Sequence, residues 1–162
     1  MFKIKITTNQ SKIGKAFTKV HLAMVRNKTP LQIIYPEYSL EYGIGGSLII
    51  LGSKEELLNL NLQSGGDYIV SEVSEANNND MLFSFKRKHE KINNARIRRA
   101  VKRAKERGEV IDEKEYRKNM LRKTLSLPFL SIPSASTGQH FKLFVERVDF
   151  KEITPDFYGM VK

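Results

Sequence analysis

A chain of 162 residues is long enough to bury a core without covalent staples, and with no cysteine it offers neither a disulfide framework nor a thiolate metal site. Its formal net charge of +10 points to a polyanionic partner. No apolar run reaches the length of a membrane span, and the N-terminal MFKIKITTNQ alternates like a strand rather than a signal peptide, so a cytoplasmic protein is expected.

The first predicted element is a half-buried strand, in which Phe2, Ile4 and Ile6 alternate with Lys3, Lys5 and Thr7. Ser11 is the expected cap of a helix reaching about Asn27, with Ile13, Phe17, Val20 and Met24 as its buried stripe and His21 on the stripe's edge. LQIIY is a second strand ending at Pro36, and after the loop 37–46 SLIIL is a third, closed by Gly52. Ser53 and Glu56 form a capping box for a short helix through Leu57, Leu58 and Leu60, and DYIVSEV is a fourth strand. This β-α-β-β-α-β order predicts a ferredoxin-like (RRM-like) domain over 1–76 within an α+β protein. Asn77-Asn78-Asn79-Asp80 is a polar break, and a second, RNA-binding half is expected over 81–162.

Beyond the break, MLFSFKRK is an extended arm leading to a helix capped by Asn94 and ended at Gly108. Ile97, Ala100, Val101 and Ala104 make a narrow apolar stripe on it, edged by Arg96, Arg99, Arg103 and Arg107. Asp112 and Glu115 open a further helix to about Lys123. Short strands are expected around Phe129, around Phe141 and at Phe157–Val161.

The charge is concentrated in that second half. Between Lys86 and Arg107 stand eleven Lys/Arg against Glu90 and Glu106, whereas the rest of the chain has seventeen basic and sixteen acidic residues. Mutual repulsion of seven cations on a four-turn helix costs stability unless an anion neutralises it, so the arm reads as a nucleic-acid site. An RNA-recognition motif of the usual kind would carry stacking aromatics on its third strand. Here that strand is GGSLIILG, so RNA is expected on the C-terminal half. Cleavage there needs no metal if the substrate supplies the nucleophile: a neutral imidazole takes the proton of a 2′-hydroxyl, which attacks the adjacent phosphate. No acidic or histidine cluster has metal-ligand spacing, and no cofactor is implied. His21, His89 and His140 are the histidines that could supply the imidazole, and His21 stands on a helix edge. Ser134, in the small polar turn Ser134–Gly138, is placed to hold the 2′-hydroxyl, and Tyr158 to fix the imidazole.

These residues in this order resemble the CRISPR-associated repeat-RNA endoribonuclease of subtype I-F systems. SASTGQHFKLF followed by FYGM is similar to that family's SxSTGQHFxLF hairpin and closing aromatic-Tyr-Gly-apolar segment, with LxLPF, VHLAM and YPEY in support. The resemblance implies that His21 is the general base, Ser134 positions the attacking hydroxyl, Tyr158 orients the histidine and Ser136 lines the same pocket. It also implies that Phe141 stacks on the last base pair of a repeat hairpin. The arginine helix would enter the hairpin's major groove through Arg99 and Arg103, with Arg96 and Arg98 as alternates. The implied products are a 2′,3′-cyclic phosphate and a 5′-hydroxyl, and the enzyme stays on the mature crRNA beside other subunits of an RNA-guided surveillance complex. The base-reading arm departs from the family's Arg-x-Gln: Arg87-Lys88-His89 puts a histidine where an amide would pair with adenine, which alters the expected repeat preference. The chain also stops soon after Tyr158, where relatives carry a longer tail. Two other readings share the basic arm. One is a subunit that binds structured RNA without cutting it; the other is a basic DNA-binding or ribosomal-type protein.

Overall fold

A computed structural model describes residues 1–88, 94–133, 139–149 and 155–160, excepting the side chains of 94, 96 and 120–125. The central strand is β1 (Phe2–Thr8), whose alternation turns Ile4 and Ile6 into the core. It pairs antiparallel with β3 (Ser47–Gly52) in a register that sets Ile4 against Ile50 and Ile6 against Leu48. β2 (Gln32–Ile34) flanks β3, and β4 (Tyr68–Val70) and β5 (Ser74–Glu75) lie on the other side of β1, giving the order β2-β3-β1-β4 with antiparallel neighbours. Every residue of β2 and all but the last of β3 are buried, so these runs are covered on both faces and show no alternation.

Helix α1 (Ile13–Asn27) buries Ile13, Phe17, Val20 and Met24 as its spacing predicts. Its start differs from the expected serine cap. The Asn9 side chain accepts from the Ser11 N–H at 3.1 Å and opens a 3-10 turn, Gln10–Lys12, that runs into α1. Asn9 reaches the free N–H groups one step earlier than Ser11, and Lys12, at the helix's own cap position, makes no side-chain cap bond. Helix α2 (Lys54–Asn59) has the predicted capping box, Ser53 and Glu56 each accepting from the other's backbone N–H.

The polar break is a built joint. Asn77 and Asp80 form a capping box on a 3-10 turn, and Lys3 Nζ lies 2.6 Å from the buried Asp80 carboxylate, tying the joint to β1. From there β6 (Phe83–Lys88) enters a second antiparallel sheet, order β6-β8-β7, with β7 (Phe129–Pro133) and β8 (His140–Asp149). Gln32 donates to Ser84 Oγ at 2.9 Å and Tyr38 donates to the Val145 carbonyl at 3.1 Å, so polar bonds cross between the sheets where both are buried. Phe17, Ile33 and Tyr35 belong to one continuous core with Phe85, Leu130, Leu143, Val145 and Met160.

Between β6 and β7 the chain forms two packed helices, α3 (Asn94–Glu106) and α4 (Glu113–Leu125). Ile97 and Ala104 are fully buried, which accounts for the apolar stripe, and Asp112 caps α4 through the N–H groups of Lys114 and Glu115. Among the described residues no helix is long and apolar enough to cross a membrane.

The expected strand at Phe157–Val161 is a tight turn over its described residues. Asp156 Oδ1 accepts from the N–H of Tyr158 at 2.9 Å and of Met160 at 3.2 Å, while Gly159 takes a φ of +70°. Aspartate at the first and glycine at the fourth position of Asp-Phe-Tyr-Gly is turn chemistry, and it overrides the strand propensity of the aromatic pair. Val161 lies outside the described residues.

Candidate active site and nucleic-acid interface

The α1 stripe centred on Phe17, Val20 and Met24 leaves the next position, His21, half-buried at the helix edge. Its Nδ1 lies 2.7 Å from the carbonyl oxygen of Phe157, at the far end of the chain. A carbonyl only accepts, so Nδ1 carries the proton, and in the neutral ring Nε2 holds a free lone pair. The imidazole stacks on Tyr158 with centroids 4.6 Å apart and planes 15° apart, and Phe17, one turn back on α1, lies parallel to it at 6.2 Å. The ring is thus held by a hydrogen bond at one edge and by aromatic faces.

What holds Phe157 and Tyr158 is the turn itself. The Gly159 carbonyl accepts from the Ile33 N–H at 2.8 Å, docking the turn on β2, and a Cβ at residue 159 would overlap the Ile33 side chain. Glycine is required there for the positive φ and for the close approach. Tyr35, under the same turn, has its phenol pushed well above the ordinary tyrosine range, by burial first and by the Asp156 carboxylate second.

The second sheet adds a cation. Arg87 on β6 faces the same side as Phe85, which packs edge-on against Tyr35 at 5.0 Å, and its guanidinium carbon sits 4.6 Å from the centroid of Tyr158. Arg87 pairs across the sheet with Val145, and Phe141 pairs with the buried Ile132. Residues two apart share a face, so Phe141 lies on the face that carries Leu143, Val145 and Arg87. It stands at the end of that face and is 39% exposed. The sequence leaves its direction open; cross-strand register decides it.

Strand β7 brings the region preceding residue 134 to the helix that carries His21. Gly14 of α1 lies so close to the Ser131 carbonyl that a Cβ would overlap its oxygen. Residues 126–129 lie with Gln10–Gly14 around a cavity of about 450 Å³, so β7 starts beside the N-terminal end of α1. Exposed His140 lies 3.2 Å from Ser131 Oγ on the strand pair flanking 134–138. Ser134, Ser136, His89 and the side chain of Arg96 lie outside the described residues.

On α3, Arg99 and Arg103 are exposed and four residues apart, and Arg99 Nε donates to the Ala95 carbonyl at 3.2 Å. Arg98 faces elsewhere: with Lys102, Lys105 and Glu113 it lines a groove of about 520 Å³ against α4. Arg107 is engaged by Glu109 at 2.9 Å.

Two members of the site escape a reading of side-chain types: the Phe157 carbonyl is a backbone group, and Phe17 reads as core. A signal for the first is present in Asp156 and Gly159, whose spacing marks the turn that aims that carbonyl. Arg87, expected in the base-reading arm, lies with its guanidinium on Tyr158.

A protein-family model described as CRISPR-associated protein (Cas_Csy4) matches residues 6–161. No individual curated protein matches the chain.

Proposed function

Because the chain belongs to the Cas_Csy4 family of CRISPR-associated proteins, with its role in CRISPR-RNA processing, we propose that it is a metal-independent endoribonuclease cutting precursor RNA at the 3′ base of the repeat hairpin. The observation that carries the chemistry is the 2.7 Å contact of His21 Nδ1 with the Phe157 carbonyl, which leaves Nε2 as the proton acceptor. Nε2 removes the proton of the 2′-hydroxyl upstream of the scissile phosphate. The 2′-oxygen attacks phosphorus, the bond to the 5′-oxygen breaks, and the leaving oxygen takes a proton from the imidazolium or from water. The products are a 2′,3′-cyclic phosphate and a 5′-hydroxyl.

Ser134 is assigned to hold the attacking hydroxyl and Ser136 to line the same pocket. The packing of β7 on α1 through Ser131 and Gly14 supports this, because the strand that reaches α1 runs on into residue 134. Tyr158 orients the imidazole, and Phe141 stacks on the closing base pair of the stem. Arg87 and His89 are assigned to read bases near the stem foot. Residues 1–76, with their four-stranded order and two helices, act as a ferredoxin-like scaffold for His21, and 81–162 as the RNA-binding half. The protein remains on the mature crRNA in the surveillance complex, in the cytoplasm.

A cognate repeat hairpin incubated with the protein in EDTA is expected to give one cut, and a 2′-deoxy substitution at the nucleotide before the scissile phosphate is expected to stop it while binding persists. An all-ribose hairpin that binds tightly and stays whole would replace the nuclease by a non-catalytic RNA-binding subunit.

The arginine helix is assigned to the major groove of the hairpin through Arg99 and Arg103, with Arg96 and Arg98 as alternates. Each duplex phosphate neutralised contributes about 0.9 to the dependence of log affinity on log salt. Replacing both Arg99 and Arg103 by alanine is therefore expected to lower that slope by about 2, assayed by filter binding over a salt series. An unchanged slope would make the helix a solvated face.

A further inference from the structure

Neither hairpin binding nor proton transfer accounts for the cation resting on Tyr158. We propose that Arg87 is a positioning residue: through the Tyr158 ring it holds the His21 imidazole with Nδ1 on the Phe157 carbonyl, so that Nε2 stays aimed at the substrate. The geometry stands by itself, and its consequence for RNA cleavage rests on the reading of His21 as general base.

Tyr158 depends on its neighbours for a fixed rotamer. It sits half-buried on a short turn, and among the described residues its phenol makes no hydrogen bond, so ring contacts with Phe17, His21 and Arg87 hold it. The imidazole and the guanidinium are each 4.6 Å from the Tyr158 centroid, so the phenol ring bridges them. Arg87 is well anchored for the task. β6 pairs it with Val145, and its face neighbour Phe85 is fully buried against Tyr35 and Tyr38.

Its charge meets no carboxylate among the described residues: Arg87 makes no ion pair with them, and Glu146 on the adjoining strand is taken by Lys88 at 2.9 Å. A half-buried cation without an acidic partner costs desolvation, and the electron-rich face of a tyrosine recovers part of it. The planar guanidinium suits this better than an ammonium, and a stacked guanidinium keeps its N–H edge free for acceptors on the RNA. One side chain would then serve the imidazole with its face and the substrate with its edge, linking recognition to the rate of the chemical step.

The test is the ¹⁵N and ¹H spectrum of the His21 ring in the RNA-free full chain, for wild type, R87Q and Y158L, followed by single-turnover cleavage at saturating hairpin. Wild type is expected to show the Nδ1–H tautomer and ring protons shifted upfield by Tyr158. R87Q should lose most of that shift, approach Y158L and mix tautomers, and its saturating cleavage rate should fall about tenfold, apart from any change in affinity. Should R87Q fail to fold, R87M, which retains the aliphatic stem, is read the same way. His21 signals unchanged in the substituted protein would overturn the proposal, whatever happens to RNA binding. If the signals move but wild type cuts no RNA, the positioning stands and the nuclease reading falls.

Discussion

His21→Ala is expected to leave hairpin binding within about twofold of wild type while lowering single-turnover cleavage about 10²–10⁴-fold, the range that a positioned proton acceptor supplies. The separation follows from where the residue sits. His21 is on the edge of α1, outside the basic arm assigned to the RNA, and is only half-buried, so removing it empties little of the core. The lost contacts are one hydrogen bond to a carbonyl that water can reach and a stack on Tyr158, together about 1–2 kcal/mol. A melting curve close to that of wild type should accompany the loss of cutting. A variant that still cut within tenfold of wild type would remove the imidazole from the mechanism.

Gly14→Ala is the second large effect expected, and its sign is the informative part. In a helix, alanine in place of glycine ordinarily stabilises by about 1 kcal/mol. Here the new Cβ would overlap the Ser131 carbonyl oxygen and come within 3.0 Å of its carbon. Both partners are backbone, so no rotamer change relieves the clash, and α1 must draw away from β7. Destabilisation by about 1–3 kcal/mol is expected, seen as a melting temperature lower by about 2–10 °C. The same displacement separates the helix bearing His21 from the strand leading into residue 134. Misplacement by about 1 Å can cost about 10²-fold in rate, so cleavage should fall more than stability alone explains. A variant as stable and as active as wild type would show that the helix and strand are not packed this closely.

Elements set by local chemistry are legible in the amino-acid sequence. The alternation of β1, the Ser53–Glu56 box and the Ile97–Ala104 stripe each follow from contacts within a turn or along a strand. Two of the departures from the expected elements are also local, and arise where two local signals compete. Asn9 and Ser11 are both good caps, and the one reached first starts the turn. Phe157 and Tyr158 favour a strand, but Asp156 and Gly159 bend the chain before one can form.

The sequence by itself determined the basic arm, the buried stripe of α1 and the position of His21 at its edge, because charge and period are written residue by residue. It carried enough family likeness to identify a CRISPR-associated protein of the Cas_Csy4 family. Only the tertiary structure decided that the His21 ring meets the Phe157 carbonyl 136 residues away, that Arg87 comes to rest on Tyr158, and that Phe141 shares a face with Arg87. Those outcomes depend on how β7 docks on α1, how the last turn hangs from Ile33, and how β6 registers with β8. Each is a long-range choice among packings whose local patterns look alike, and steric fit at two glycines and one continuous core selects among them.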